Sequence, residues 1–356
     1  MASPFILLRL GIANRFALLS ASTYIYRKNV FVDMEKEFVV GIGELLWDML
    51  PGGRRLGGAP ANFAYHVSQF GLESVLVSAV GRDEAGEAAV RELVETMSAY
   101  PLPGCTGLTD SGVSKGQRLG PGFNILIGMT DFPTGTVGVE LDADGVPRYD
   151  IRMQAAWDNI PWTSALRQLA SRTRAVCFGT LARRSPVSCR TVSRFVDAVP
   201  AGEGQWRILD INLRQHFYTR DVVMDALRQC NILKINEEEL TVLSGMLSLT
   251  GVDSTELCRR LMHQFDLKIL ILTCGVQGSY VFASGGEDVS FLDTPKVKVA
   301  DTVGAGDSFT AAFASALIRG LSIQEAHRLA VNVSAYVCSC EGAMPVLPEG
   351  LRAVRH

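Results

Sequence analysis

Gly304-Ala305-Gly306-Asp307 stands within Asp301–Phe309, which reads Asp-Thr-Val-Gly-Ala-Gly-Asp-Ser-Phe. Two glycines and a carboxylate thus open an Ala-rich helical run from Ser308 to Arg319, stopped by Gly320. Gly304 and Gly306 are expected to adopt positive φ angles, which turn successive backbone N–H groups toward one concave point. A helix N-terminus adds its macrodipole and unpaired N–H groups at the same place, so the turn suits an anion. A carboxylate beside an anion cradle is unfavourable unless it has a chemical task. Phosphoryl transfer supplies one: the amides hold charge on the moving group, while Asp307 accepts the proton of an attacking hydroxyl. A plainer reading makes Asp307 a helix N-cap. Four residues alone do not separate the two.

A second pattern lies near the start: Gly57-Gly58-Ala59-Pro60-Ala61-Asn62-Phe63-Ala64. Pro60 suits a first helical turn, and Asn62 projects from it with both a donor and an acceptor for hydroxyl groups. In isolation this is only a helix start. Asn236-Glu237-Glu238-Glu239, taken alone, reads likewise as a solvated helix start. Arg214, after the polar strand end Asp210-Ile211-Asn212, has a fork suited to phosphate or a charged sugar. Cys338-Ser-Cys340 lacks partners at metal-ligand spacing. There is no Gly-x4-Gly-Lys-Ser/Thr loop and no protein-kinase signature, so a nucleotide would need a different, shallower groove.

These residues must be positioned by a scaffold, and the pattern names its class. The 356-residue chain is 47% hydrophobic, enough for one large α/β domain or two ordinary ones. A net charge of -3 and no basic run give no reason to expect nucleic acid. Eight cysteines, several in apolar runs and none in a Cys-x-x-Cys pair, fit reduced thiols in a reducing, cytoplasmic setting. Strand-like runs at 38–42, 74–80, 174–178, 207–211, 232–235, 268–273 and 279–282 alternate with helical periodicity. The helical stretches are 61–70, 84–97, 186–199, 222–229, 237–243, 255–265 and 323–338. Such alternation implies βαβ units and a three-layer α/β/α fold with a mostly parallel sheet. Its ligand site should lie beyond the carboxyl ends of the strands. The run 45–50 and a hairpin over 136–152, with a turn at Ala143-Asp144-Gly145-Val146, predict a small β-sheet projecting from it.

Two stretches fall outside the pattern. Phe5–Tyr26 is apolar but broken by Arg9 and Arg15, so it does not read as a membrane span. Its arginines and lack of acids are those of a transit peptide. An upstream, non-native start before Met34 is the favoured expectation, which leaves residues 1–33 as an extension and 34–356 as the domain. Residues 100–124, dense in Gly and Pro, read as an irregular insertion.

Taken together, Gly-Gly-x-x-x-Asn-x-Ala and Asp-Thr-x-Gly-Ala-Gly-Asp-x-Phe strongly resemble the ribokinase/PfkB family of sugar kinases, from Glu37 to Pro348. The resemblance implies a ribokinase-like fold whose β-sheet lid comprises about 44–57 and 134–156. It implies Asp307 as catalytic base, with the backbone of Gly304, Ala305 and Gly306 as anion hole. It gives Asn236 and Glu239 the Asn-x-x-Glu role of ordering Mg2+ and phosphate, with Glu239 acting on the metal through water. Thr273, Gly275 and Gly278 match the ATP-side strand and turn, with Asn332 near the adenine. Asp301 and the segment Ser339–Gly342 match a monovalent cation loop, where K+ would sit. On the acceptor side, Asp48, Gly58 and Asn62 match the sugar face. Asp210, Asn212 and Arg214 resemble the Asp-x-Asn-x-Arg of fructokinases, as does Phe178-Gly179-Thr180-Leu181-Ala182. Fructose is therefore the expected acceptor. 2-Keto-3-deoxygluconate, ribose, a nucleoside, or a catalytically silent binding protein stand as alternatives, and a monomer and a homodimer are both open.

Overall fold

Largely apolar runs such as Ser74–Gly81, whose one interior polar group, the Ser78 hydroxyl, donates to the Gly43 carbonyl at 2.7 Å, are fully buried strands, the signature of a sheet covered on both faces. The computed structural model describes residues 5–7, 23–26, 37–50, 52–98, 122–141, 147–285 and 289–353. Met34, the hairpin turn at 143–146 and the insertion up to residue 121 lie outside them. In chain order the strands are β1 (Phe5–Leu7), β2 (Thr23–Tyr26), β3 (Phe38–Ile42), β4 (Leu46–Leu50), β5 (Gly53–Gly57), β6 (Ser74–Gly81), β7 (Phe123–Thr130), β8 (Gly135–Leu141), β9 (Pro147–Ile151), β10 (Thr173–Phe178), β11 (Trp206–Asp210), β12 (Ile232–Asn236), β13 (Ile269–Thr273), β14 (Ser279–Ala283) and β15 (Val289–Leu292). The helices are α1 (Ala59–Gln69), α2 (Glu84–Ser98), α3 (Ser164–Ala170), α4 (Pro186–Ala198), α5 (Arg220–Gln229), α6 (Glu237–Leu247), α7 (Ser254–Phe265), α8 (Ala305–Ile318), α9 (Ile323–Cys338) and α10 (Glu349–Arg352).

The large sheet has the order β1-β2-β7-β6-β3-β10-β11-β12-β13-β14-β15. It is parallel from β7 through β13, with antiparallel strands at both margins. Alternation along each strand separates the two faces. Val40, Ile42, Val176 and Phe178 point to the side packed by α3 to α7. Val39, Ala175 and Cys177 point to the side packed by α1, α8 and α9, and α2 joins that layer over β6 and β7. The fold is the expected three-layer α/β/α arrangement. Among the described residues no helix is long and apolar enough to cross a membrane.

A second, smaller sheet, ordered β5-β4-β8-β9, stands where the lid was expected. Its root is fixed by Trp47, only 2% exposed, whose indole N–H donates to the Ala85 carbonyl at 2.9 Å. Arg54 covers the other face of that ring, 4.5 Å from its centroid. The irregular stretch ends earlier than the composition suggested. Phe123 and Asn124 already belong to β7, paired with Ser74 and Val75, and the Asn124 amide donates to the Ser74 carbonyl at 3.0 Å.

Candidate functional site

The carboxyl ends of β3, β10 and β11 meet the N-termini of α1 and α8 around one cavity. Glu44, Ala59, Pro60, Phe63, Cys177, Phe178, Gly179, Leu181, Asp210, Asn212, Asp307 and Thr310 line it. Gly304 is the N-cap of α8, in the left-handed region at φ 77, where a side chain would also overlap Ala343. Asp307 is therefore the third helical residue and not the cap. Its Oδ2 accepts from Asn62 Nδ2 at 2.7 Å, joining residues 245 positions apart. The Asn62 Oδ1 is buried and has no donor. Gly58, at φ 127, starts α1, and a Cβ there would overlap the Glu44 carbonyl.

The expected roles of the two glycines need correction. Only Gly304 has a positive φ. Gly306 lies inside the first turn of α8, where a Cβ would sit 3.1 Å from Lys234 Nζ. Position 306 thus uses no backbone freedom, and its missing side chain leaves room for the Lys234 ammonium. The Ala305 amide is also partly diverted, donating to the Thr302 carbonyl at 3.3 Å. The amides of Gly304, Gly306 and Asp307 have no acceptor among the described residues, so the open donors flank Ala305.

Beneath this turn sits a buried ion pair. Lys234 Nζ donates to both Asp210 oxygens, at 3.0 and 2.8 Å, and Thr310 Oγ1 reaches Asp210 Oδ2 at 3.1 Å. Burial draws the Lys234 ammonium down, but Asp210 and Glu239 outweigh it and hold it above its usual value. Burial raises Asp307 to about 6, helped by the Asp210 charge and opposed by Asn62, Lys234 and Arg214. A base of that pKa is ionised at neutral pH yet still basic enough to take a proton. Sequence reasoning missed Lys234, because its partner lies on the neighbouring strand and no local motif marks it.

On the lid, Asp48 is half-buried on β4 opposite Arg55 of β5, and burial raises its pKa. A Cβ at Gly57 would overlap Asp48 Oδ2, so a larger residue there would turn the carboxylate from this position. Arg55 reaches from the lid to Asp301 Oδ2 at 3.4 Å. Asp301 also accepts from the amides of Val303 at 3.0 Å and Gly342 at 3.2 Å. Asn212 adopts a left-handed φ of 45 just past β11, and Arg214 is exposed beyond it.

Along the same edge, Asn236 and Glu239 form a reciprocal capping box at the start of α6. Glu239 Oε2 accepts from the Asn236 amide at 2.9 Å, and Oε1 from the Leu213 amide at 2.9 Å. Burial and the Asp210 charge raise its pKa, against those amides and Lys234. Asn236 pairs in register with Thr273. The turn that follows has Gly275 at φ 54 and Gly278 at φ 131, with Val276 between them 90% exposed. Asn332 is exposed on α9. The second group that sequence reasoning missed is Glu44. It is 4% exposed at the end of β3, and its one sequence signal is an acid set in the apolar run Ile42-Gly43-Glu44-Leu45-Leu46.

Comparison with known proteins places these features in context. The profile described as "pfkB family carbohydrate kinase" matches residues 132–350. An ATP-dependent 6-phosphofructokinase of Thermoanaerobacterium thermosaccharolyticum is 24% identical over 343 residues, covering 91% of this chain and 95% of that one. Fructokinase-1 of Zea mays is 28% identical over 344 residues, covering 88% and 95%. The crystal structure of a fructokinase with bound ATP from Xylella fastidiosa superposes with a TM-score of 0.68 at 19% identity, covering 88% and 95%.

Proposed function

Because the chain belongs to the pfkB family of carbohydrate kinases, we propose that this sugar kinase transfers the γ-phosphoryl group of ATP to fructose, forming fructose 6-phosphate. The observation that carries the reading is the Asn62–Asp307 contact at 2.7 Å. It unites the two sequence signatures at one point and holds the carboxylate in the cavity, away from its own main chain. Asn62 then offers its unpartnered Oδ1 to an acceptor hydroxyl, and Asp48 accepts one or two more from the lid side. Asp307 takes the proton of the attacking hydroxyl, and the amides of Gly304, Gly306 and Asp307 hold the charge that develops on the transferred group.

Asp210 lines the cavity, but both its oxygens are engaged by Lys234 and one also by Thr310. Its role here is to keep Lys234 under the anion turn rather than to grip sugar. Asn212 and Arg214 are left to face the acceptor. ATP would be held at the ends of β12 and β13, with the turn of Gly275, Val276 and Gly278 and, on α9, Asn332 as the residues toward its base and the α8 amides as those toward its phosphates. Mg2+, held in this scheme by water between Glu239, Asn236 and the phosphates, would neutralise phosphate charge. Glu239 suits indirect rather than direct contact, because each of its oxygens already accepts an amide. Asp301 fits K+ less well, since a guanidinium already shares its Oδ2.

The test is an acceptor panel with ATP in a coupled ADP assay, containing fructose, fructose 6-phosphate, ribose, a nucleoside and 2-keto-3-deoxygluconate. The highest kcat/KM should belong to fructose. A second reading, an anionic acceptor, has one observation in its favour: Arg214 is exposed beside the cavity and its charge reaches Asp307 and Glu44. Preference for fructose 6-phosphate or the keto acid would replace fructose with that reading. ATP binding with no turnover of any sugar would leave a silent binding protein.

A further inference from the structure

Glu44 is a buried ionisable group that the chemistry above leaves without a task. It lies two residues past β3 and two before β4, where the chain passes from the large sheet to the small one, on the floor of the cavity. It lines the same cavity as Asp307 and Asn212 and is 4% exposed. No side-chain partner satisfies it among the described residues. The charged groups that face it are Asp307 of α8 and Arg214 beyond β11, together with the amides of Glu44 itself and Ala59. A carboxyl so placed costs stability unless a partner arrives to use it. Its backbone is pinned as well, since Gly58 packs against its carbonyl, so the side chain is held at a set depth beside the base.

We infer that Glu44 is a specificity-determining residue of the sugar subsite, hydrogen-bonding a hydroxyl of the acceptor other than the one phosphorylated. This deepens the sugar-kinase reading and rests on it. Burial, opposed by those amides and by Arg214, brings Glu44 to about 7. Near neutrality it can therefore donate or accept, which suits a hydroxyl. A negatively charged substituent at that spot would face both Glu44 and Asp307, so a neutral polyol is the ligand this floor selects.

The experiment compares wild type, Glu44→Ala and Glu44→Gln on fructose and on analogues in which each non-reacting hydroxyl is replaced by hydrogen, at saturating ATP. Thermal melts establish that both variants fold. On fructose, Glu44→Ala should lower kcat/KM by roughly 10- to 100-fold, the range for a hydrogen bond to an ionisable group. The ATP KM should not change. One deoxy analogue should erase the difference, with wild type and Glu44→Ala equal on it, while the remaining analogues keep the full loss. Glu44→Gln, which still donates and accepts, should recover a large part of the rate on fructose. An equal loss on every analogue would show a role confined to structure and overturn the inference, as would no loss at all. Wild-type protein inactive on every sugar would instead overturn the kinase reading beneath it, and that outcome is separately visible.

Discussion

Asp307 carries the sharpest consequences at the scale of single residues. Asp307→Asn keeps the Asn62 contact possible but removes the proposed base, so turnover should fall roughly 10²- to 10⁴-fold, while the melting temperature should not drop. The second result follows from sign. A carboxylate raised from 3.8 to about 6 by folding destabilises the native state once it ionises, and Asn relieves that cost. A near-normal turnover in the variant would remove Asp307 from the reaction. Activity should also decline as pH falls through about 6, because the base must be ionised. Lys234 tunes that limb. Lys234→Met leaves Asp210 charged and unpaired next to Asp307, so the acid limb of kcat/KM should move to higher pH. The fold should lose about 3–5 kcal/mol, the usual result of breaking a buried pair; an unmoved limb would deny the coupling. The contrast between these residues explains what a sequence reveals. Asp307 announces itself because its glycines are its chain neighbours. Lys234 acts on it from β12 and Glu44 faces it from the turn beyond β3, and nothing local to them encodes that proximity.

Elements divide along the same line. Strands β3, β6 and β10 to β14 and helices α1, α2 and α4 to α9 were legible, since each carries its own period or a capping signal. β5 was not: Gly53-Arg54-Arg55-Leu56-Gly57 has no strand composition, and it pairs because β4 offers it an edge. β7 was hidden by its glycine-rich approach and is fixed by its register with β6. Besides its Trp47 anchor, the small sheet formed by β5 and its neighbours meets the core through Arg55 and Asp301, whose side chains are 53% and 22% exposed. A pair so open to water is worth about 0.2–1 kcal/mol, so on the proposed reading, in which this sheet covers bound sugar, it biases closure without holding it. Arg55→Ala should therefore raise the sugar KM about 1.4- to 5-fold at low ionic strength. The difference from wild type should vanish in high salt, where exposed charges are screened. A salt-independent change would point to altered packing of β5 instead.

The whole molecule is bound together by polar groups drawn from distant parts of the chain, and these make its stability depend on pH in two opposed ways. His66 on α1 is fully buried and donates from Nε2 to the Ala343 carbonyl at 2.9 Å. Gln69 reaches the Pro345 carbonyl at 3.2 Å, so α1 grips the C-terminal segment that backs Gly304. Burial lowers His66 from 6.5 to about 4, and His327, between Ser279 and Ser290, likewise to about 4. Between pH 6.5 and 4 the unfolded chain takes up these protons and the native state does not, so their contribution is lost as pH falls. Glu44 behaves in the opposite sense. Its carboxyl rises from 4.5 to about 7 on folding, so the native state binds the extra proton and is relatively favoured at low pH. Variants separate the two effects in urea unfolding at a series of pH values. His66→Gln should be less stable than wild type at pH 8, with the deficit shrinking from pH 6.5 to 4. Glu44→Gln should gain on wild type as pH rises from 4.5 to 7. Parallel curves for either variant would mean that its side chain is already solvated in the native state, and that the site around Asp307 is wetter than this packing allows.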